Sequence, residues 1–128
     1  APGACRLRIQ EYNAGDFVPF GVCDTTIIGT WDGTLPVFNG TFPGQPIYEC
    51  AAFDAAQKSI RAIFVPEFFG VGRWHLEIFA PLVPGPATLL YHARSPASST
   101  SDPDPIFVWN QIAGCCTGPA TITMESYV

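Results

Sequence analysis

One stretch, RWHLEIFAPLVPGPATLLYHAR at residues 73–94, constrains the fold of this chain more than any other part of the sequence. In its first part, apolar side chains alternate with mostly polar ones, which is the two-residue period of a β-strand with one buried face. The turn signal PGP follows, and residues 87–94 are typical of a second strand. The stretch therefore predicts an antiparallel β-hairpin.

The register of this hairpin decides which side chains share a face. A one-residue slip would mix polar and apolar side chains, and such slips are disfavoured wherever one face is buried. We therefore expect one wholly apolar face, with Trp74, Leu76 and Ile78 opposite Ala93, Tyr91 and Leu89.

The other face of the hairpin gathers four candidate ligand-binding side chains, His75, Glu77, His92 and Arg94. Two imidazoles and a carboxylate at cross-strand distance can hold a metal ion or share a proton. The alternative is a solvated polar face, because at most three ligands on a flat sheet make no pocket. We favour the solvated face, and we predict no bound metal and no other cofactor.

Composition extends the β assignment to the whole chain. The 12 Gly and 13 Pro are spread evenly, which excludes long helices, and the 48% apolar content suits one domain over residues 1–128. About eight strands at spacings of roughly 8–14 residues predict an antiparallel β-sandwich with little or no helix. The predicted strands lie at 5–12, 25–31, 47–53, 59–65, 73–79, 87–94, 106–109 and 119–127, with a short strand around 37–38 and an edge strand or irregular segment at 17–23.

Five cysteines indicate disulfide bonds and an extracellular setting. They show no C-x-x-C spacing, and only the two histidines are available to complete a zinc set. Two disulfides leave one cysteine over, either as a buried free thiol or in a disulfide between two chains. We therefore predict a secreted protein whose disulfide framework is drawn from Cys5, Cys23, Cys50, Cys115 and Cys116.

Charge and targeting features narrow the classes of partner. The formal net charge is −5 and the six basic residues are scattered, so we expect no nucleic acid partner. No apolar run approaches the length that spans a bilayer, so we expect no transmembrane segment. The small residues APGA at the start are typical of a cleaved N-terminus, and the glycosylation pattern Asn39-Gly40-Thr41 agrees with a secreted glycoprotein.

Aromatic residues supply the remaining candidate surface sites. Phe68 and Phe69 form either an exposed tip that binds a partner or a plug that closes one end of the sandwich. Trp31 comes just before the turn dipeptide Asp32-Gly33. It is therefore the tryptophan that we expect at the surface, where it can stack on a sugar ring.

The order of the segments LRIQEY, VFNGTF and SIRAIF resembles the calcium- and lipid-binding eight-stranded sandwich modules of signalling proteins. The resemblance covers about half of the chain and implies a sandwich topology. The aspartates that those modules place in two loops at one end of the sandwich are not recognisable in this sequence. The resemblance therefore carries over no calcium or lipid binding.

These features favour a binding protein over an enzyme, because catalytic residue types are few while aromatic and apolar ones abound. We expect a recognition, defence or host-modulating protein that binds a protein or glycan through surface aromatic patches. One alternative is a carbohydrate-binding module that uses Trp31. Another is a small metal-dependent or hydrolytic enzyme that uses His75 and His92. Exposed β edges and low surface charge also predict self-association into a homodimer or larger homo-oligomer.

Overall fold

The structure is a computed structural model of the chain. It describes residues 4–13, 16–31, 34–35, 40–41, 44–51, 57–67, 70–80, 89–99, 102–103, 105–106, 108–114 and 121–127. These residues form strands and connecting segments without a helix, which confirms the predicted all-β class. No helix among them is long and apolar enough to cross a membrane.

Eleven strands occur in the described part of the chain, more than the eight or so predicted. Two very short strands, at 34–35 and 40–41, lie on either side of the short strand predicted around 37–38, which is outside the described residues, and a separate strand near the C-terminus was not predicted. The eleven strands are β1 (Ala4–Asn13), β2 (Asp16–Asp24), β3 (Thr26–Trp31), β4 (Thr34–Leu35), β5 (Gly40–Thr41), β6 (Gln45–Cys50), β7 (Ser59–Pro66), β8 (Gly72–Phe79), β9 (Leu89–Arg94), β10 (Asn110–Gly114) and β11 (Thr121–Tyr127).

The strands form two main antiparallel sheets. The smaller has three strands in the order β11-β1-β2, and the larger has six in the order β10-β9-β8-β7-β6-β3. The strands β4 and β5 pair separately. The segment at 17–23, predicted to be an edge strand or irregular, is an edge strand within β2. Its Pro19 cannot donate a ladder hydrogen bond, which an edge position tolerates.

The chain changes sheets at two described places. Between β2 and β3, the backbone N–H and the hydroxyl of Thr25 both donate to the carbonyl of Cys5, at 3.0 and 2.7 Å. Near the C-terminus, Ile106 exchanges backbone hydrogen bonds with Met124 of β11, whereas Asn110 begins a strand of the other sheet. The predicted strand at 106–109 is therefore wrong, because this segment crosses between the sheets.

One apolar core joins the two sheets. Buried side chains alternate with partly exposed ones along each central strand, as in β8, where every second residue is buried. Both sheets contribute to a single buried cluster, so their apolar faces pack against each other as in a β-sandwich. The cluster contains Cys5, Leu7, Ile9, Ile122 and Met124 from the small sheet, and Tyr48, Cys50, Ile60, Ala62, Phe64, Trp74, Leu76, Ile78, Tyr91 and Ala93 from the large one.

A disulfide between Cys23 and Cys50 ties β2 of the small sheet to β6 of the large sheet. Cys5, one of the five cysteines from which the disulfide framework was drawn, is not in a disulfide; it is a free and fully buried thiol, the form predicted for the cysteine left over. Burial raises the pKa of Cys5 to about 11, opposed by a side-chain hydrogen bond with Tyr48, so the unreactive thiol form persists at neutral pH. Cys115 and Cys116 lie outside the described residues.

The central hairpin forms between β8 and β9, but its register differs from the prediction by two residues. Leu76 lies opposite Ala93 and Ile78 lies opposite Tyr91, with a register shift between Ile78 and Phe79. A shift of two residues leaves every side chain on its predicted face, because the side-chain period of a strand is two. The apolar face of the hairpin is therefore confirmed, while the predicted pairing is wrong.

Candidate functional site

The outer face is the side of the six-stranded sheet that points away from the core. On β8 it carries the odd-numbered side chains, since the even-numbered ones are buried. In the register of the hairpin His75 lies opposite Arg94, and Glu77 lies opposite His92. These four residues therefore form a square on the outer face, as the sequence predicted, and we call it the hairpin square.

A hydrogen bond joins the two histidines along one diagonal of the hairpin square. Nδ1 of His75 lies 2.7 Å from Nε2 of His92, and the ring centroids are 5.0 Å apart at an interplanar angle of 38°. Diagonal neighbours on adjacent strands are within reach of side chains of this length. The histidines take one diagonal, so Glu77 and Arg94 stand at the ends of the other, and no ion pair joins them.

Burial and neighbouring charge keep His75 neutral. Burial is the main cause that lowers the pKa of His75 to about 4; His92, Arg94 and Arg73 contribute to this lowering, whereas Glu67 acts in the opposite direction. A neutral imidazole has one donor nitrogen and one acceptor nitrogen. At neutral pH His75 is therefore a hydrogen-bonding group and carries no positive charge.

The arginines of the outer face differ in their pairing. Arg61 binds Glu49 at 3.0 Å and lies 4.7 Å from the centroid of the Phe79 ring. Arg73 binds Glu67 at 2.9 Å and donates a second hydrogen bond to the carbonyl of Ser95. Arg94 forms no ion pair within the described ranges. Its guanidinium is therefore the cation on this face that a ligand can reach without breaking an existing pair.

Trp31 lies on the same face, near one edge of the sheet. Trp31 pairs with Gln45, which points to the same side of β6 as Ile47. Ile47 pairs with Ile63, and Ile63 pairs with His75. Paired side chains share a face, so Trp31 and His75 lie on the same face of the sheet. Trp31 is partly exposed, whereas Trp74 and Trp109 are 2% and 4% exposed in the core. Three strand spacings of about 4.8 Å place Trp31 roughly 14 Å from β8.

Other predicted site residues lie outside the part of the chain that the structure describes. They are Phe68, Phe69 and the acceptor Asn39. The hydrophobic tip and the glycosylation site therefore stay predictions.

The sequence analysis did not single out Arg61, which binds Glu49 and lies over the ring of Phe79 on the outer face. The alternation of residues around Arg61 was a usable signal. In the segment SIRAIF, the buried residues Ile60 and Ala62 alternate with the partly exposed Ser59 and Arg61. That alternation already predicts that Arg61 lies on the face of its strand opposite the buried residues. Only the order of the strands, which the sequence does not give, brings this face beside Glu77.

The groups of the hairpin square can form hydrogen bonds and ion pairs with a ligand. No group of three or more His, Cys, Asp and Glu side chains is arranged to hold a metal ion within the described residues. In the same residues neither histidine hydrogen-bonds to a hydroxyl or thiol that could act as a nucleophile. The enzyme hypothesis for His75 and His92 therefore gains neither a third metal ligand nor a nucleophile.

Comparison with protein-family models, with curated proteins and with solved structures finds no match.

Proposed function

We propose that this protein is a binding protein that holds a protein or glycan partner on the outer face of the six-stranded sheet. The observation that carries the proposal is the unequal pairing of the arginines. Arg61 and Arg73 are bound to carboxylates, while Arg94 has no carboxylate partner among the described residues. A partly exposed Arg beside two imidazoles favours a partner with a carboxylate or another acceptor group.

The surroundings of Arg94 support the same proposal. Glu77 offers an acceptor at the far end of the hairpin square, and the histidine pair between them offers further hydrogen-bonding nitrogens. Ile47, Phe79 and Trp31 add partly exposed apolar area around this polar centre. Apolar area around a few polar groups is the usual composition of a protein-binding surface.

We further propose that the protein is secreted and acts in recognition, defence or host modulation. The support for this proposal is the Cys23–Cys50 disulfide, because such bonds persist mainly in oxidising compartments.

An array experiment tests the proposed surface. Labelled wild-type protein is applied to arrays of extracellular proteins and of glycans, together with Arg94→Ala and the control Arg8→Ala. Arg8 lies on the small sheet, on the other side of the sandwich, with one guanidinium nitrogen 3.5 Å from Glu125. We expect the strongest signal to fall at least tenfold in Arg94→Ala, about 1.4 kcal/mol, and to persist in Arg8→Ala. Equal binding by wild type and Arg94→Ala would contradict the proposal.

A second candidate function is glycan binding, and the position of Trp31 on the outer face favours it. An extended oligosaccharide that stacks on Trp31 can reach the hairpin square, since roughly 14 Å separates them. We expect Trp31→Ala to abolish binding to glycan spots while Val108→Ala, an exposed residue near the opposite edge, leaves it intact. Glycan binding that survives Trp31→Ala would exclude Trp31 as the stacking residue.

A further inference from the structure

The two sheets of the sandwich differ in width. With about 4.8 Å between strands, six strands span roughly 24 Å and three strands roughly 10 Å, so the small sheet leaves the edges of the large one uncovered. Three exposed isoleucines lie on the two edge strands of the large sheet. Ile27 and Ile28 on the edge strand β3 are 57% and 45% exposed, and Ile112 on the opposite edge strand β10 is 43% exposed.

Strand β3 is the edge strand with the more exposed apolar residues. Ile27 pairs with Tyr48, whose side chain is buried in the core, so Ile27 also points toward the core side of the sheet. It is nevertheless 57% exposed, so the core does not cover it. A register shift between Ile27 and Gly29 leaves Ile28 exposed as well.

Strand β3 lacks charge and proline, two of the features that usually protect a sheet edge, and its register shift between Ile27 and Gly29 is the protective feature that it has. Its sequence TIIGTW contains no charged residue and no proline, and Thr26 to Thr30 are all exposed. Among the described strands β3 pairs with β6 alone, so its free edge presents backbone groups to solvent. Edge strands in monomeric proteins commonly carry Lys, Pro or inward-pointing charges that prevent pairing with another chain.

We infer that β3 is the contact strand of a symmetric dimer, in which β3 of one copy pairs antiparallel with β3 of a second copy and joins two six-stranded sheets. An uncharged strand meets its own copy without like-charge repulsion, and an antiparallel pair satisfies two-fold symmetry. The nearby Asp24 is already bound to Arg6 at 2.7 Å, so it adds little repulsion.

Strand β3 is already formed and anchored in the monomer. The Cys23–Cys50 disulfide anchors the chain just before β3 to the end of β6, its neighbour in the sheet. A preformed strand loses little conformational freedom on pairing, which favours association. Six residues from each copy nevertheless make an interface below the roughly 1,200 Å² of stable complexes, so we expect a Kd on the order of 10–100 µM.

Sedimentation velocity across protein concentrations of about 5 µM to about 1 mM tests the dimer. We expect wild type to move from 13.8 kDa toward about twice that mass as concentration rises. Ile28→Lys should stay monomeric throughout, and the control Ile112→Lys, which changes an equally exposed isoleucine on the other edge, should dimerise like wild type. Thr30→Lys provides a second charged variant on β3, in case Ile28→Lys does not fold.

Wild type that remains monomeric at every concentration would overturn the inference, and so would a folded Ile28→Lys or Thr30→Lys that dimerises normally. The test is independent of the proposed binding surface, because Arg94→Ala lies four strands from β3 and should dimerise like wild type.

Discussion

The two faces of the β8–β9 hairpin are built from the same strands and have different roles. On the inner face Leu76 and Ile78 are fully buried and pack in the core between the sheets. On the outer face, one residue away, His75 and Glu77 are only half-buried. Residues on the inner face therefore determine stability, while those on the outer face are free to serve binding.

The largest expected difference between the two faces is in the free energy of unfolding. Leu76→Ala removes a fully buried side chain and leaves a cavity, so we expect a loss of about 3 kcal/mol. Glu77→Ala, at the next residue, should cost less than about 0.5 kcal/mol, since it forms no described ion pair. Urea unfolding of both variants measures the difference, and similar losses would show that the outer face also carries the fold.

A smaller effect should appear with pH. The pKa of His75 is about 4 in the folded protein, against 6.5 for a free histidine, because burial and the nearby His92, Arg94 and Arg73 disfavour its charge while Glu67 partly opposes them. As pH falls from 6.5 to 4, His75 takes up a proton in the unfolded chain but not in the folded chain. The part of the free energy of unfolding that depends on neutral His75 is fully present above pH 6.5 and is lost over this range.

The full pKa difference corresponds to about 3 kcal/mol, and screening of the half-buried ring reduces the expected loss to about 1–2 kcal/mol. Urea unfolding at pH 7 and pH 4 measures it. The control His75→Gln keeps an amide that can hydrogen-bond to His92 and removes the titrating ring, so its stability should fall less over the same range. Equal pH dependence in both proteins would mean that His75 is not the group responsible.

The smallest effect concerns two tryptophans of the core. Nε1 of Trp109 donates to the carbonyl of Ile122 at 2.7 Å, whereas Nε1 of Trp74 is buried without a partner among the described residues. Replacement by Phe therefore removes a hydrogen bond only at Trp109. We expect Trp109→Phe to cost about 1 kcal/mol more than Trp74→Phe in urea unfolding. The reverse order would place a hydrogen-bond partner at Trp74.

Local alternation in the sequence predicted much of this architecture. It gave the all-β class, the hairpin and the shared face of His75 and His92, because all of these depend on residues close in the chain. The pairing within the hairpin was wrong by two residues, since a register shift next to Phe79 leaves no local trace. The position of Trp31 on the same face depends on β3 pairing with β6, which only the folded chain reveals.

The most direct test of the outer face as a binding surface uses the histidines themselves. The chain contains only two, so nuclear magnetic resonance resolves one ring Cε1–H signal for each. A partner recovered from the arrays is added at pH 7 to the wild-type protein. We expect both signals to shift with saturation that follows binding, because His75 and His92 lie beside Arg94. Full binding with both signals unmoved would contradict the account.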